Sequence, residues 1–325
     1  MQSNMVGYTL QRLGSAALLL VLVLSFTFFF VHLAPGDPTI LTQDPRLGPE
    51  DREALNRVYG LDRPLPHQYL TWMGAVLLRG DWGVSYVHAR PVLKVIAERV
   101  PATLLLTGMA LGLQFALGLV LGVTAARRAN KPADHLIRMT SLLFYSLPLF
   151  WTGLMALMLL SHRWSLFPAG HMTSVGADAL SPLARLIDLL HHLTLPVLVL
   201  VLGGAGVVAR FARNSLLEVL QQDYIRTARA KGLGENRVVW IHAMKNAATP
   251  LVQLLGLSLP FLLSGSLIVE VVFSWPGLGR LTYDSIQARD YPVILATTAL
   301  AGVLVIAGNF LADLVQAVID PRVRR

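Results

Sequence analysis

The amino-acid sequence predicts an all-α, polytopic membrane protein with six transmembrane helices. Only 14% of the 325 residues are charged and 54% are hydrophobic, whereas a typical soluble domain carries about 25% charged residues. Long apolar intervals recur six times along the chain, and the basic residues are concentrated in alternate connecting segments. This composition argues against a soluble enzyme and against a disordered chain. The absence of cysteine excludes disulfide bonds, thiolate metal sites, iron–sulfur clusters and cysteine nucleophiles.

Each predicted span is an interval without Asp, Glu, Lys or Arg. A membrane helix needs roughly 20 apolar residues, because the hydrocarbon core is about 30 Å thick and each residue rises about 1.5 Å. The six intervals are residues 13–31, 100–126, 139–161, 193–209, 246–269 and 291–312. The first is longer than the apolar stretch of about 7–15 residues in a signal peptide. No small-residue cleavage site follows it, so we interpret it as a retained helix.

The distribution of Lys and Arg predicts the orientation. Fifteen of the 27 lie at the two termini, between spans 2 and 3, or between spans 4 and 5, and only four lie in the opposite short loops. Because short cytoplasmic loops are enriched in Lys and Arg, we expect both termini in the cytoplasm and the loops after spans 1, 3 and 5 outside. The net charge of +8 is therefore a topology signal, and no nucleic-acid partner is needed to explain it.

The spans divide the chain into three regions. Residues 1–32 form the N-terminal cytoplasmic end and the first span, residues 33–99 form a long external loop, and residues 100–325 form a core that includes a cytoplasmic loop at 210–250. In the external loop, Pro49 followed by two acids is typical of a helix start, and residues 67–78 have the spacing of an amphipathic helix. We favour a structural cap on the external face. The alternative is a surface that docks a partner or shapes a substrate entrance.

The cytoplasmic loop contains a short predicted helix. Residues 223–231 are rich in Ala, Arg and Lys, and Gly232 and Gly234 are expected to end the helix. Ala228 and Gly232 are four residues apart, so we predict that they share a face that another backbone can approach closely. Such a helix suits docking into a groove on a soluble partner. The alternative is a plain basic loop that obeys the positive-inside rule.

Residues 223–233 and 242–250 resemble the EAA loop of ABC-importer permeases, and more narrowly that of the B-type subunit of dipeptide, oligopeptide and nickel importers. Further motifs follow the order of the family over nearly the whole chain, at residues 35–38, 59–64, 80–85, 273–280, 289–293 and 320–324. The general EAA pattern begins with an acidic residue, whereas this chain has Arg226, Thr227 and Ala228 at those positions. The proline that follows the pattern also comes later in this chain, at Pro250. Both departures are similar to the peptide and nickel subgroup.

The resemblance implies a type I ABC-importer permease (MetI-like) fold and a division of labour. This chain and a homologous second permease form the pathway, two cytoplasmic ATPase subunits bind ATP and Mg²⁺, and an external substrate-binding protein delivers the substrate. The chain itself is then not an enzyme and binds no cofactor or metal, and the sequence contains no GxxxxGK[ST]. The expected location is the bacterial inner membrane. Peptides are the favoured substrates, and nickel, another metal or chelate, and glutathione are alternatives.

The resemblance also assigns the helix that couples to the ATPase subunits. Its residues in this sequence are Asp223, Tyr224, Ile225, Arg226, Thr227, Ala228, Arg229, Ala230, Lys231 and Gly232. Under the family mechanism, closure of the ATPase pair on ATP tilts the membrane helices through this docked segment, and the pathway opens alternately to each side.

Four further residues are candidates for pathway or structural roles. Glu270, the acid at the outer end of span 5, either lines the pathway or holds the turn that contains Trp275 by hydrogen bonding, and we favour the structural role. Asn309 and Asp313 are four residues apart on span 6 and share a face, and we expect Asp313 to pair with a basic loop residue.

Small residues and prolines inside the spans predict local helix geometry. Two pairs of glycines in span 2 have the spacing that permits a tight helix crossing, either within this subunit or against its sibling; they are Gly108 with Gly112 and Gly118 with Gly122. A proline inside a span frees a backbone carbonyl and can kink the helix. The prolines in question are Pro148, Pro196 and Pro260.

The competing interpretation of another class is a stand-alone secondary transporter. Such transporters usually show inverted repeats and intramembrane ionisable groups. No repeat is evident here, and Glu270 and Asp313 lie only at the ends of their intervals. An intramembrane enzyme is disfavoured because HExxH, GxSxG and cysteine are all absent.

Overall fold

The computed structural model describes residues 2–33, 48–58, 60–258, 261–264 and 266–319, which are mostly helical. In chain order the helices are α1 (Gln2–Leu33), α2 (Pro49–Val58), α3 (Leu65–Arg79), α4 (Val92–Arg127), α5 (Pro132–Ser146), α6 (Leu149–Ala156), α7 (Pro182–Leu220), α8 (Asp223–Ala230), α9 (Glu235–Arg237), α10 (Met244–Ala247), α11 (Thr249–Ser258), α12 (Phe261–Ser264), α13 (Leu267–Val272), α14 (Leu278–Gln287) and α15 (Tyr291–Ile319). Two π-helices cover Leu157–Arg163 and Val238–Ala243, and a 3₁₀ turn covers Ala177–Ala179. One antiparallel bridge pairs Val84 with Pro91.

Four long helices confirm four of the predicted spans. Helices α1, α4, α7 and α15 are each long and apolar enough to cross a membrane, and they contain the first, second, fourth and sixth predicted intervals. In lipid, every backbone N–H and C=O group must find its partner within the protein, so a continuous helix is the form expected of such an interval. Helices α4 and α7 begin well before their apolar intervals, at Val92 and Pro182.

The third predicted span is a bent pair of helices. Helix α5 ends at Ser146, α6 begins at Leu149, and the two helices are bent by 99°. The ring of Pro148 disfavours the helical conformation at the residue before it, and Leu147 is accordingly extended, with φ −76° and ψ 133°. The kink expected at Pro148 is therefore present, whereas Pro196 lies inside the uninterrupted helix α7.

The fifth predicted span is helical in pieces. Helices α11, α12 and α13 follow one another along the interval. Residues 259, 260 and 265 lie outside the described part, and the expectation for Pro260 falls there. None of the three described pieces alone is long enough to cross a membrane.

By contact density the chain divides into two units, Met1–Pro101 with Gly277–Ile306, and Ala102–Pro276 with Ala307–Arg325. The three-region division predicted from the sequence is a different partition and stays a prediction. The predicted external helices are present within the first unit, since α2 starts at Pro49 and α3 covers residues 67–78.

Asp290 anchors the external loop within the first unit. Its buried carboxylate accepts hydrogen bonds from the Ser85 hydroxyl and from the backbone N–H groups of Tyr86, at 3.1 Å, and Val87, at 3.3 Å. The Ser85 hydroxyl in turn accepts from the backbone N–H of His88 at 2.9 Å. Two of the sequence motifs, at 80–85 and 289–293, therefore meet at one buried carboxylate.

An apolar core fills the second unit around helix α7. The largest fully buried side chains there are Trp275 and Phe273, which pack with Leu106 of α4 and with Leu195 and Val199 of α7. Because lipid tails are as apolar as these side chains, such packing stabilises a membrane fold mainly through van der Waals contacts. The core thus joins α4 and α7 to the segment that follows α13.

Glycines let α4 and α7 approach closely within this unit. A Cβ atom added at Gly118 would lie 2.5 Å from the Cβ of Val208, and one added at Gly122 would lie 2.5 Å from the Cβ of Ala212. This glycine pair therefore packs inside the subunit, which decides between the two alternatives left open by the sequence. At Gly108 and Gly112 an added Cβ would meet nothing within 4 Å.

The close crossing predicts opposite outcomes for two equivalent substitutions. Gly122→Ala should destabilise the protein by about 1–3 kcal/mol, because the new methyl group overpacks the crossing. Gly112→Ala should be neutral or stabilising by up to about 1 kcal/mol, because alanine favours the helix and the space is open. The measurement is the thermal unfolding midpoint of each purified variant in the same detergent, and equal midpoints would contradict the close packing of α4 on α7.

Candidate functional site

The candidate site is the segment between residues 223 and 247, which the sequence predicts to be cytoplasmic. Helix α8 starts at Asp223 after an extended Gln222 and ends at Ala230. Gly232 follows in the left-handed conformation, with φ +77°, which a residue with a side chain adopts only under strain. The predicted helix and its glycine stop are therefore both present. The chain then returns through α9, a π-helix and α10.

A hydrophobic cluster holds this segment against the ends of α4 and α7. The side chains of Ile225 and Ala228 are buried on the inner face of α8. They belong to one cluster of buried residues whose other members are Val123, Ala126, Leu216, Val238, Val239, Ala243 and Ala247. We call this cluster the seat. Because packed side chains in such a cluster interdigitate like those of a protein interior, a displacement of α8 has to displace α4 and α7 as well.

The seat corrects one prediction made from the sequence. Ala228 and Gly232 were expected to form a strip of small residues for a partner's backbone, but Ala228 is buried against this chain's own helices. Gly232 lies beyond the end of α8, so helical spacing does not relate it to Ala228. The physical reason for the small residue at 228 is internal packing, and the reason for Gly232 is the left-handed turn.

The opposite face of α8 is exposed. It carries both charged and uncharged polar side chains, together with the phenol ring of Tyr224, which is 41% exposed. The hydroxyl oxygen of Tyr224 accepts a hydrogen bond from the side-chain amide of Asn246 at 2.8 Å, and this bond ties α8 to α10. The remaining exposed residues of the predicted coupling helix are Asp223, Arg226, Thr227, Arg229, Ala230, Lys231 and Gly232.

A bidentate ion pair closes the turn that follows α8. The Arg229 guanidinium donates to both carboxylate oxygens of Glu235, with Nε–Oε2 at 3.1 Å and Nη2–Oε1 at 2.8 Å. These bonds hold the pKa of Glu235 below its usual value and the pKa of Arg229 above its own. Because the pKa of Glu235 falls on folding, the ion pair stabilises the folded protein at neutral pH. This stabilisation is lost as the pH drops below the usual carboxylate range. Both side chains are partly exposed, so solvent screening keeps this contribution small.

A second ion pair is buried near the seat. Asp134 at the start of α5 is fully buried and accepts two hydrogen bonds from Arg213 of α7, with Nε–Oδ1 and Nη2–Oδ2 both at 2.7 Å. The backbone N–H of Asn130 donates to Asp134 Oδ2 at 2.9 Å. The turn between α4 and α5 is thereby fixed to α7, the helix that contributes Leu216 to the seat.

Glu270 and Trp275 lie together in a buried region of the second unit. The carboxylate of Glu270 accepts a hydrogen bond from the Thr103 hydroxyl at 3.1 Å. The backbone carbonyl of Glu270 accepts a hydrogen bond from the backbone N–H of Trp275 at 2.8 Å. The indole N–H of Trp275 donates to the Ala102 carbonyl at 2.7 Å. Asn309 is exposed on α15, and the side chain of Asp313 lies outside the described part of the protein. The structure brings Glu270 and Trp275 together, and the roles of all four residues stay predictions.

Comparison with known proteins decides the family. Residues 118–325 match the family described as binding-protein-dependent transport system inner membrane component. Residues 5–107 match the N-terminal family of the same membrane components. The chain belongs to this family.

Named relatives agree over almost the whole length. The permease is 40% identical over 320 residues to the oligopeptide transport system permease protein AppB of Bacillus subtilis, covering 98% of this chain and 99% of the relative. It is 39% identical over 337 residues to the dipeptide transport system permease protein DppB of Escherichia coli K12, with the same coverage. It is also 39% identical over 320 residues to the glutathione transport system permease protein GsiC of Pectobacterium atrosepticum, again covering 98% of this chain and 99% of the relative.

A solved structure shows the fold. The inward-facing MetNI methionine ABC transporter matches with a TM-score of 0.54 and 20% identity, covering 70% of this chain and 97% of that chain. Together with the family match, this confirms the predicted all-α, MetI-like permease fold and the prediction of a multi-pass inner membrane component. The motifs at 35–38 and 320–324 that contributed to the prediction lie outside the described residues.

The Asp134–Arg213 pair is the main feature that sequence reasoning missed. Arg213 was counted only as a basic residue between spans, and Asp134 was not singled out. The signal was nonetheless present, because Asp134 is the only acid in a segment that otherwise contains Arg127, Arg128 and Lys131 before Arg138. An acid retained in such a segment is a candidate for a specific basic partner, although the sequence does not say which one.

The buried pair predicts that two Asp→Asn substitutions lower the free energy of unfolding by different amounts. In the permease, Asp134→Asn should destabilise the protein by about 3–5 kcal/mol. The substitution leaves the largely buried Arg213 charged, without a counter-ion and without one of its two hydrogen bonds to residue 134. Asp178→Asn removes the exposed partner of Arg185 and should cost less than about 1 kcal/mol. Thermal unfolding of both purified variants is the measurement, and an Asp134→Asn variant as stable as Asp178→Asn would contradict the assigned role.

Proposed function

We propose that this permease is the transmembrane subunit of an ATP-driven, binding-protein-dependent importer of dipeptides and oligopeptides. In this proposal it forms the translocation pathway with a homologous second permease, two cytoplasmic ATPase subunits bind ATP and Mg²⁺ and hydrolyse the nucleotide, and an external binding protein supplies the substrate. The observation that carries the proposal is the geometry of α8, which is fixed to α4 and α7 on one face and exposed on the other.

The assignment of the coupling role to residues 223–232 rests on this two-sided geometry. A segment that transmits force between proteins has to be rigidly attached to one of them and accessible to the other. The seat provides the attachment, and the Arg229–Glu235 and Tyr224–Asn246 bonds hold the exposed face in one shape. Closure of the ATPase pair would then move α4 and α7 together, which opens the pathway alternately to each side.

Peptides are favoured as substrates by the names of the relatives. Oligopeptide and dipeptide permeases of two distant bacteria match this chain at about 40% identity over almost its full length. The glutathione permease relative matches equally well, so glutathione, which is itself a small peptide, is the second candidate. In either case the external binding protein selects the substrate, and the permease provides a pathway of lower selectivity.

The proposed orientation places both termini and α8 in the cytoplasm, and single cysteines test it. Because the protein has no native cysteine, Lys231→Cys and Asp178→Cys each create one exposed thiol. Asp178→Cys should react with a membrane-impermeant maleimide in intact cells, and Lys231→Cys should react only after the membrane is permeabilised. Labelling of Lys231→Cys in intact cells would contradict the orientation.

A bulky side chain on the exposed face of α8 tests the coupling role. Ala230→Trp places an indole on that face without entering the seat, so insertion and folding should be preserved while peptide uptake falls at least about 10-fold, which corresponds to a barrier increase of about 1.4 kcal/mol. The matched control is Ala97→Trp at an exposed position near the other end of α4, which should transport normally.

The readout is uptake of a labelled dipeptide by cells or proteoliposomes that contain the complete transporter. ATP hydrolysis by the same complexes is measured in parallel, since a coupling defect lowers the peptide imported for each ATP hydrolysed or releases the ATPase subunits. Full, ATP-dependent uptake by Ala230→Trp would contradict the role assigned to α8.

A further inference from the structure

A cavity lies between α4, α5 and α7, beside the Asp134–Arg213 pair. Its volume is about 500 Å³. Ala125 of α4 lies on one side, and the remaining lining comes from α5 and α7. Three arginines converge on this cavity, Arg138 from α5 and Arg210 and Arg213 from α7. Ser141 and Asn214 add polar groups to the lining.

The cavity carries a net positive charge. Arg213 is neutralised by its two hydrogen bonds to the buried Asp134. Arg138 and Arg210 are exposed, and the Arg210 guanidinium carbon lies 5.9 Å from the centroid of the Tyr145 ring. Two arginines that line one cavity favour an anionic ligand, and the planar guanidinium group matches the oxygens of a phosphate in particular.

The position of these arginines along their helices sets the depth of the cavity. Arg138 is the last charged residue before the apolar interval 139–161, and Arg210 is the first charged residue after the apolar interval 193–209. Both helices therefore leave the hydrocarbon at the level of the cavity, which is the level of the lipid headgroups. Exposed apolar side chains on α5 continue from this level into the membrane: Met139, Leu142 and Leu143.

We propose that this cavity binds the phosphate diester of an anionic phospholipid of the cytoplasmic leaflet. The headgroup phosphate contacts Arg138 and Arg210, and the acyl chains follow the apolar surface of α5. Basic pockets between transmembrane helices on the cytoplasmic side are suited to such headgroups. The choice of a lipid over a soluble anion follows from the apolar surface that adjoins the arginines, and the choice of leaflet rests on the orientation in the proposed function.

A bound lipid would link α5 to α7, the helix that contributes Leu216 to the seat. Helices α5 and α7 pack closely beside the cavity, since a Cβ atom added at Gly206 would lie 2.8 Å from the Cβ of Ser141. The Asp134–Arg213 pair already fixes the start of α5 to α7. A phosphate between Arg138 and Arg210 adds a second connection one turn further into the membrane.

Lipid retention by the assembled transporter tests this site. The complex is exchanged into nanodiscs made of equal parts phosphatidylglycerol and phosphatidylcholine, released, and analysed by native mass spectrometry for the lipids that remain bound. The variant R138Q/R210Q should retain about 30-fold less phosphatidylglycerol relative to phosphatidylcholine, as expected for the loss of two arginine charges near an anionic headgroup. R138K/R210K should keep most of the retention, because lysine also binds phosphate, and this rescue shows that the loss is not misfolding.

The matched control removes the same charge outside the cavity. Arg127, the last residue of α4, and Arg128, which follows it, are exposed and do not line the cavity, so R127Q/R128Q should retain phosphatidylglycerol normally. Unchanged retention in R138Q/R210Q, an equal loss in R127Q/R128Q, or displacement of the lipid by inorganic phosphate would each overturn the proposal. Retention is measured without ATP or substrate, so its failure and a failure of peptide import are separate results.

Discussion

The packing of one helix face decides what the segment at residues 223–247 can do. Ile225 and Ala228 are buried against the ends of α4 and α7, and the residues that return from α8 complete the same cluster. Without this burial, residues 223–247 would be too short to hold a shape of their own. When Ile225 and Ala228 are buried in this way, the segment moves together with the membrane helices. Its outer face remains exposed, so another protein can bind it.

Polar groups extend this rigidity around the seat. Asp134 and Arg213 form two hydrogen bonds in a buried position and fix the turn between α4 and α5. Gly118 and Gly122 allow α4 to contact α7 closely along two further turns. A buried ion pair is weak evidence for stability by itself, because desolvation offsets the attraction. Its geometry nevertheless selects one arrangement of α5 and α7, as the proposed coupling role requires.

The sequence predicted the parts of the fold that depend on local pattern. Charge-free intervals predict spans because the bilayer excludes charge, and the glycine at 232 predicts a helix end because it tolerates the left-handed turn. The burial of Ala228 and the partner of Asp134 were not predictable, since they depend on which helices meet in space. The size of the bend at Pro148 also depends on tertiary packing, although the break itself follows from the proline.

The most direct test of the account is a contact measurement on the exposed face of α8. A single cysteine at Arg226, in a chain that has no other cysteine, is coupled to a benzophenone maleimide and photo-crosslinked in membranes that contain the complete transporter. We expect a covalent adduct between the permease and an ATPase subunit. A fully assembled, actively importing transporter that yields no such adduct would contradict it.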